Sequence, residues 1–239
     1  MKRPFYTTFA WAYDLLIQKP VKDHIDFITT QLSKRNIANN ARLLDAGCGT
    51  GNYALALSGR GFQVTGLDIS KDLIIEAKTK CDTRRMPVDF SVCDILAIPK
   101  ELVFDAIVCR GVLNDLIETA SRKDVFFSFA GAMRKGAVLI LDVREWQSTF
   151  IRKIQNPIFE KTVMTDKGCL IFHSATRLQP KTRSLLISET HILQSFSDRD
   201  VATFNFEMKC WTQEELAEYL DDAGFQEIQY FGDYRKTNG

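Results

Sequence analysis

Leu43-Leu44-Asp45-Ala46-Gly47-Cys48-Gly49-Thr50-Gly51 is the stretch on which the reading of this chain turns. Apolar residues with strand character run into a carboxylate, then into a loop with glycine at every second position, then into a helical pattern over 52–58. Glycine permits positive φ and lets a ligand touch the backbone. The helix that follows offers unpaired N–H groups at its start. In open α/β sheets, ligands bind at such a place, beyond the carboxyl ends of the strands. The spacing is G-x-G-x-G, whereas the dinucleotide fingerprint is G-x-G-x-x-G. Asp45 before the loop would repel a pyrophosphate but can pair with an ammonium group. The next apolar run, Val64-Thr65-Gly66-Leu67-Asp68, again ends on an acid, placed to take the two hydroxyls of a ribose.

Outward from the loop, short apolar runs alternate with helical patterns. Strands are predicted at 43–45, 64–68, 88–92, 104–109 and 137–142, and helices near 52–58, 71–80 and 121–134. Ser70 before Lys71-Asp72 and Ser121 before Asp124 supply capping chemistry. This alternation implies parallel strands joined by right-handed crossovers, an α/β doubly wound sheet. Upstream, residues 5–18 and 21–33 read as two helices broken at Pro20, with Val21, Ile25, Ile28 and Leu32 at helical spacing in the second. After Asp142 the rhythm changes. Residues 158–210 lack helical periodicity, and 169–177, 184–194 and 202–209 read as strands of an antiparallel insertion, with Gln179-Pro180-Lys181-Thr182 as a turn. Thr212-Gln213-Glu214-Glu215 opens a helix that ends near Gly224, and 225–231 reads as a last strand. One domain is expected, with N-terminal helices at 1–40, a ligand-binding core at 41–146, the insertion at 150–210 and a closing helix and strand at 211–239.

Composition narrows the class. The 239 residues are 45% hydrophobic and 26% charged, as in an ordinary globular protein. Thirteen glycines and six prolines leave little room for low-complexity sequence. A net charge of +1 lacks the basic excess of a dedicated nucleic-acid binder. No apolar run approaches the ~18–20 residues that span a bilayer, and Met1-Lys2-Arg3-Pro4-Phe5 opens too polar a segment for a signal peptide. Six scattered cysteines without a Cys-x-x-Cys fit reduced thiols, hence a cytoplasmic location. His24, His173 and His191 stand too far apart to signal a metal site. The expected partner is a small molecule, with neither nucleic acid nor membrane, and the chain is expected to be a monomer or homodimer.

A ribose belongs to both NAD and S-adenosylmethionine, so Asp68 alone does not separate them; Asp45 and the glycine spacing do. Here the chain resembles the class I S-adenosylmethionine-dependent methyltransferases, with four motifs in order over residues 42–145. Asp45-Ala46-Gly47-Cys48-Gly49-Thr50-Gly51 resembles the loop that holds the methionine and ribose, and Asp68-Ile69 the ribose-binding acid. Cys93-Asp94-Ile95 resembles the adenine site, which implies that Asp94 accepts from the exocyclic amine and Ile95 donates its N–H. Phe104-Asp105-Ala106-Ile107-Val108-Cys109-Arg110 resembles the fourth strand, which leads to the active site, with Arg110 beside the cofactor. The resemblance implies a Rossmann-like sheet of the seven-stranded type. Since Gly232 to Gly239 ends on turn-forming residues, its final strand is expected to be missing.

Methyl transfer from a sulfonium needs alignment, a deprotonated nucleophile and exclusion of water, with no covalent enzyme intermediate. Tyr13-Asp14-Leu15-Leu16 resembles the Tyr-Asp signature of small-molecule methyltransferases, where the tyrosine closes over the cofactor; Phe5, Phe9, Tyr13 and Ile17 also form an apolar stripe at i, i+4 spacing. After the fourth strand, Asn114 and Asp115 stand where many relatives carry histidine, which points to an amine acceptor or to a carboxylate base in Asp115. Asp142-Val143-Arg144-Glu145-Trp146 resembles the Asp-x-Arg-x-aromatic stretch of glycine N-methyltransferase-like enzymes, implying that Arg144 grips a substrate carboxylate. Trp146, and His173, Arg177 and His191 on the insertion that roofs the pocket in sugar-amine N-methyltransferases, complete the expected substrate contacts. The expected activity is methylation of a small molecule, an amine first, with O- or C-methylation or a non-catalytic cofactor-binding module as alternatives.

Overall fold

The protein was analysed as a computed structural model, which describes residues 3–17, 20–195 and 198–232. Five parallel strands form the main sheet: β1 (Arg42–Ala46), β2 (Gln63–Asp68), β3 (Val88–Val92), β4 (Phe104–Cys109) and β5 (Met133–Leu141), in the order β3-β2-β1-β4-β5. β1 lies at the centre, and its Leu43, Leu44 and Ala46 have no exposed surface, as parallel strands covered on both faces require. Helices α2 (Val21–Lys34) and α3 (Asn52–Ser58) pack on one side; α4 (Lys71–Arg84) and α5 (Thr119–Gly131) complete the crossovers. Two core clusters result, one built on Ile25, Ile28, Leu43, Val64 and Phe90, the other on Leu44, Ile107, Phe126, Phe129 and Trp211. The helix caps behave as read at Ser70, whose hydroxyl accepts from Leu73 N at 3.1 Å, whereas α5 begins before Ser121.

The predicted helix over 5–18 is replaced by two 3-10 turns, Pro4–Tyr6 and Ala10–Ala12, and one short helix, α1 (Tyr13–Leu16). Thr7, at φ −135° and ψ −107°, leaves the helical region, and this lets Phe5 and Phe9 both bury against the second sheet. That sheet is antiparallel and has four strands: β6 (Ile158–Thr165), β7 (Gly168–Gln179), β8 (Ser184–Gln194) and β9 (Arg199–Lys209), paired in sequence order. The sequence reading found the last three; β6 escaped it because its residues are nearly all exposed or half-buried and carry little alternation. A helix, α6 (Trp146–Gln155), joins β5 to this roof, capped by the Glu145 carboxylate on the N–H groups of Gln147 and Ser148. The last helix, α7 (Gln213–Asp222), starts at the Thr212 cap as read.

The predicted strand at 225–231 does not form. Glu227 adopts a left-handed φ of 54° and pairs with Arg35, while Phe231 packs edge-on against Phe27 at 5.0 Å, so the segment is drawn to α2. Among the described residues, the main sheet therefore stops at β5 with five strands, two short of the seven-stranded type. The expectation about the chain end concerns 233–239, which lie outside the described residues. The roof is fixed at the root of β9. Arg122 of α5, with no exposed surface, donates to the carbonyls of Leu116, Lys209 and Cys210 and to Glu215.

Candidate active site

The carboxyl ends of β3, β2, β1 and β4 stand side by side, and the loops leaving them line a cavity of about 370 Å³. Sheet order therefore orders its wall: Asp94 and Ile95 after β3, Asp68 and Ile69 after β2, Asp45 and the glycine loop after β1, then Arg110, Val112 and Asp115 after β4. Tyr6 and Tyr13 close it from the N-terminal segment. The cavity thus brings Tyr13, Asp45, Gly47, Cys48, Gly49, Asp68, Ile69, Asp94, Ile95, Arg110 and Asp115 together.

The loop geometry explains its glycines. Gly47 sits at φ 74°, and a Cβ there would come within 2.2 Å of Val112, so the loop after β4 rests directly on it. Gly49, at φ 55°, would put a Cβ into open space, which leaves its backbone open to approach by a ligand. Gly51 lies one layer back, at the start of α3. Asp68 accepts from Gly49 N and Ser70 N, both at 2.8 Å; burial raises its carboxyl, and these two N–H groups pull it back down. Asp45 is 2% exposed beside the loop. Burial pushes the Cys48 thiol well up, which removes it as a nucleophile. Asp94 is exposed and caps the turn after β3 through Leu96 N at 2.9 Å. An acid at the strand end, a carboxylate by the loop and an open backbone at Gly49 fit the ribose and the charged amino-acid end of S-adenosylmethionine.

The N-terminal segment is fastened over the cavity at two points. Asp14 accepts from Thr50 Oγ1 at 2.8 Å and Asn52 Nδ2 at 2.9 Å and pairs with Lys80. At the other end, Arg3 donates to both oxygens of Glu189 on β8, at 2.9 and 2.5 Å. Tyr13 lies between these ties, T-packed on Phe5 at 5.1 Å, so it serves both the apolar stripe and the cavity wall. Tyr6, Arg3, Glu189 and Asp14 are polar contributors that motif reading did not single out as site residues. Only Asp14 had a local signal, as the second residue of the Tyr-Asp run.

Asp115 sits at the β4 end of the cavity. Its Oδ2 receives the Tyr6 hydroxyl at 3.4 Å, and its buried Oδ1 has no hydrogen-bond partner among the described residues. Burial lifts its carboxyl to about 6, against the charge of Arg3, the Tyr6 hydrogen bond and the charge of Arg144. Tyr6 is itself raised well above its ordinary value, first by burial and then by the Asp115 charge.

Other expected residues stand elsewhere. Asn114 is 3% exposed; its Oδ1 accepts from Arg144 N at 2.8 Å and its Nδ2 donates to Lys209 O at 2.9 Å, so its amide is spent clamping backbone. Arg110 borders the cavity, but its guanidinium donates to Asp142 at 2.7 and 2.9 Å and lies over the Tyr53 ring at 4.4 Å. Arg144 is exposed beside the open groove along β5, within electrostatic reach of Asp115. Trp146 starts α6 and packs on the roof with Leu185, Ile187 and Met208. His173 faces Glu160 at 3.5 Å and Arg177 is exposed, both away from the cavity wall. His191 has no exposed surface and lies among Phe5, Phe9 and Phe172, with ring centroids 4.8–4.9 Å away and neither ring nitrogen partnered. These four are set by the roof's own packing, which a strand pattern does not reveal. Among the described residues no helix is long and apolar enough to cross a membrane, and no cluster of metal-binding side chains occurs.

Residues 43–136 match a family model described as a methyltransferase domain. Over 140 residues the chain is 28% identical to a Geobacillus sp. (strain WCH70) protein provisionally described as a methyltransferase, covering 58% of this chain and 57% of that one. The match therefore spans a little over half of that relative's length. Similarity to the glycine/sarcosine N-methyltransferase of Aphanothece halophytica is 21% identity over 203 residues, covering 82% of this chain and 70% of that protein. The solved sugar N-methyltransferase KedS8 of Streptoalloteichus sp. ATCC 53650 superposes with a TM-score of 0.76 at 18% identity, covering 92% of this chain and 83% of that one. That last likeness is one of fold.

Proposed function

We propose that this chain, in which residues 43–136 match a methyltransferase domain, is an S-adenosylmethionine-dependent methyltransferase that methylates the nitrogen of a small amine. The observation that carries the reading is Asp115, a buried carboxylate at the β4 end of the cofactor cavity with Oδ1 unclaimed. An acceptor amine enters as an ammonium, which a carboxylate attracts. Asp115 takes its proton and frees the lone pair on nitrogen. Nitrogen gains positive charge as it attacks, and the proton that the methylated ammonium later loses goes to solvent. A neutral hydroxyl acceptor offers the carboxylate no opposite charge to attract on entry. When bound, S-adenosylmethionine supplies the methyl group from its sulfonium and leaves as S-adenosylhomocysteine.

Asp68 holds the ribose in this reading, Asp45 the ammonium of the methionine end and Asp94 with Ile95 the adenine. Tyr6 and Tyr13 exclude water above the reacting atoms. Arg144 at the outer side of Asp115 suits an acceptor that carries a carboxylate. The glycine/sarcosine N-methyltransferase among its relatives supports this choice. The test is a panel of amines and matched hydroxyl analogues, read by release of S-adenosylhomocysteine. Turnover confined to amines, strongest for amino acids or other acidic amines, is the expected outcome; turnover confined to phenols or alcohols would overturn the reading. Cofactor binding with no turnover across both panels would mark a binding module.

A further inference from the structure

Asp115 is reached by side chains that the matched domain of residues 43–136 does not contain. Arg3 is 8% exposed and Glu189 is 4% exposed, yet they lie 186 positions apart in sequence. Arg3 spends Nε and Nη2 on the two oxygens of Glu189 and donates Nη1 to the Tyr6 hydroxyl at 2.7 Å. A guanidinium has no acceptor, so the Tyr6 oxygen must accept from Arg3 and its own proton is directed to Asp115 Oδ2, at 3.4 Å. The guanidinium is held on two aromatic faces, 4.0 Å from the Phe206 ring centroid and 4.6 Å from that of Tyr6. A buried ion pair stabilises a fold little or not at all compared with well-packed apolar side chains. This pair sits where it can act on the reacting carboxylate.

We infer that Arg3 and Tyr6 are positioning residues for Asp115: Arg3 orients the Tyr6 hydroxyl, that hydroxyl fixes Oδ2 and with it the carboxyl group, and Glu189 on the roof holds them there. The inference rests on the reading of Asp115 as the proton acceptor. In the step concerned, an N–H bond of the substrate ammonium breaks, its electron pair stays on nitrogen, and an O–H bond forms on the Asp115 carboxylate. The groups that face Asp115 are Arg3 and Tyr6 from the N-terminal segment, Arg144 from the end of β5 and Glu189 from β8. The first three favour the carboxylate and Glu189 opposes it. The acceptor side is thus complete only when residues 3–6 are docked on the roof.

Protein labelled with carboxyl-carbon-13 aspartate and titrated by NMR tests this without knowledge of the acceptor. D115N identifies the Asp115 resonance by its disappearance. Y6F keeps the ring and removes the hydroxyl. The double variant R3M/E189M removes the buried pair without orphaning either half. The expected result is an Asp115 midpoint near 6 in the parent protein. It should move upward in Y6F and by about one pH unit in R3M/E189M, because the Arg3 charge outweighs that of Glu189. Packing roles alone would lower the melting temperature and leave the midpoint in place, and that result overturns the inference. Should the double variant not fold, Y6F decides by itself. An Asp115 midpoint within the ordinary carboxyl range in the parent would instead remove the support for Asp115 as the base, so the two failures are told apart.

Discussion

The two ends of the cavity are built on different principles. At the end formed by β1, β2 and β3, backbone does most of the holding: a positive-φ loop, a strand-end acid and the start of a helix, all within residues 45–95. At the β4 end, side chains do it, and they come from the N-terminal segment, the turn after β4 and a roof strand. The first end suits a ligand of fixed shape. The second can be re-specified by exchanging a few side chains, which is what an acceptor site requires.

The comparison breaks most visibly at Asp115. Asp115→Asn is expected to lower kcat by about 10²–10⁴-fold, the usual contribution of a positioned acid or base, while calorimetry shows cofactor affinity retained. Loss of both together would mean that the two ends are not separable. Asp68→Ala is the reciprocal case. Cofactor affinity should fall well over tenfold, about 1.4 kcal/mol or more, and unchanged binding would remove the ribose assignment. Arg144→Ala sharpens the acceptor end: KM for an acidic amine rises about tenfold and KM for a neutral amine stays put. Equal kinetics on both would show that no carboxylate is gripped.

The smallest effect concerns stability. Burial holds the His191 imidazole down at about 4, with the Arg3 charge as a second cause. Its folded value lies below the ordinary 6.5, so its stabilising contribution is present above pH 6.5 and is lost as pH falls from there toward 4. His191→Leu removes that loss and the two unpartnered nitrogens. The variant should gain about 1–3 kcal/mol over the parent at the acid end of that window, and less at neutral pH, by denaturant titration. A gap that does not depend on pH would mean that the histidine is not held neutral.

The same contrast explains what the sequence discloses. The core of the fold is legible because parallel buried strands and crossover helices leave repeating patterns, and because Gly47, Gly49, Asp45 and Asp68 crowd into one short stretch. Asp115 is legible as a carboxylate in the turn after β4, but its burial and its upward shift are not. Arg3 and Glu189 have no local signature; each reads as a charged surface residue until the chain folds and removes both from water. Asn114 looked like a substrate contact because amides in turns serve either purpose, and only the tertiary positions of Lys209 and Arg144 decide it. The segment 225–231 has the composition of a strand but meets α2 instead of a sheet partner.

The clamp at Asn114 has a consequence for how such a protein diversifies. Its amide and the Arg122 guanidinium both take the Lys209 carbonyl, so the root of the roof is pinned to the loop after β4 and to α5. The β6–β7 turn and the Gln194 and Arg199 ends of β8 and β9 lie at the opposite end of the sheet, whereas the β7–β8 turn belongs to the root, its Arg183 carbonyl accepting from Cys210 N at 2.9 Å. Insertions, deletions and exchanges at that far end can accumulate without disturbing the root of β9. A lineage can thus explore new acceptors through one tethered appendage while the cofactor end is inherited unchanged.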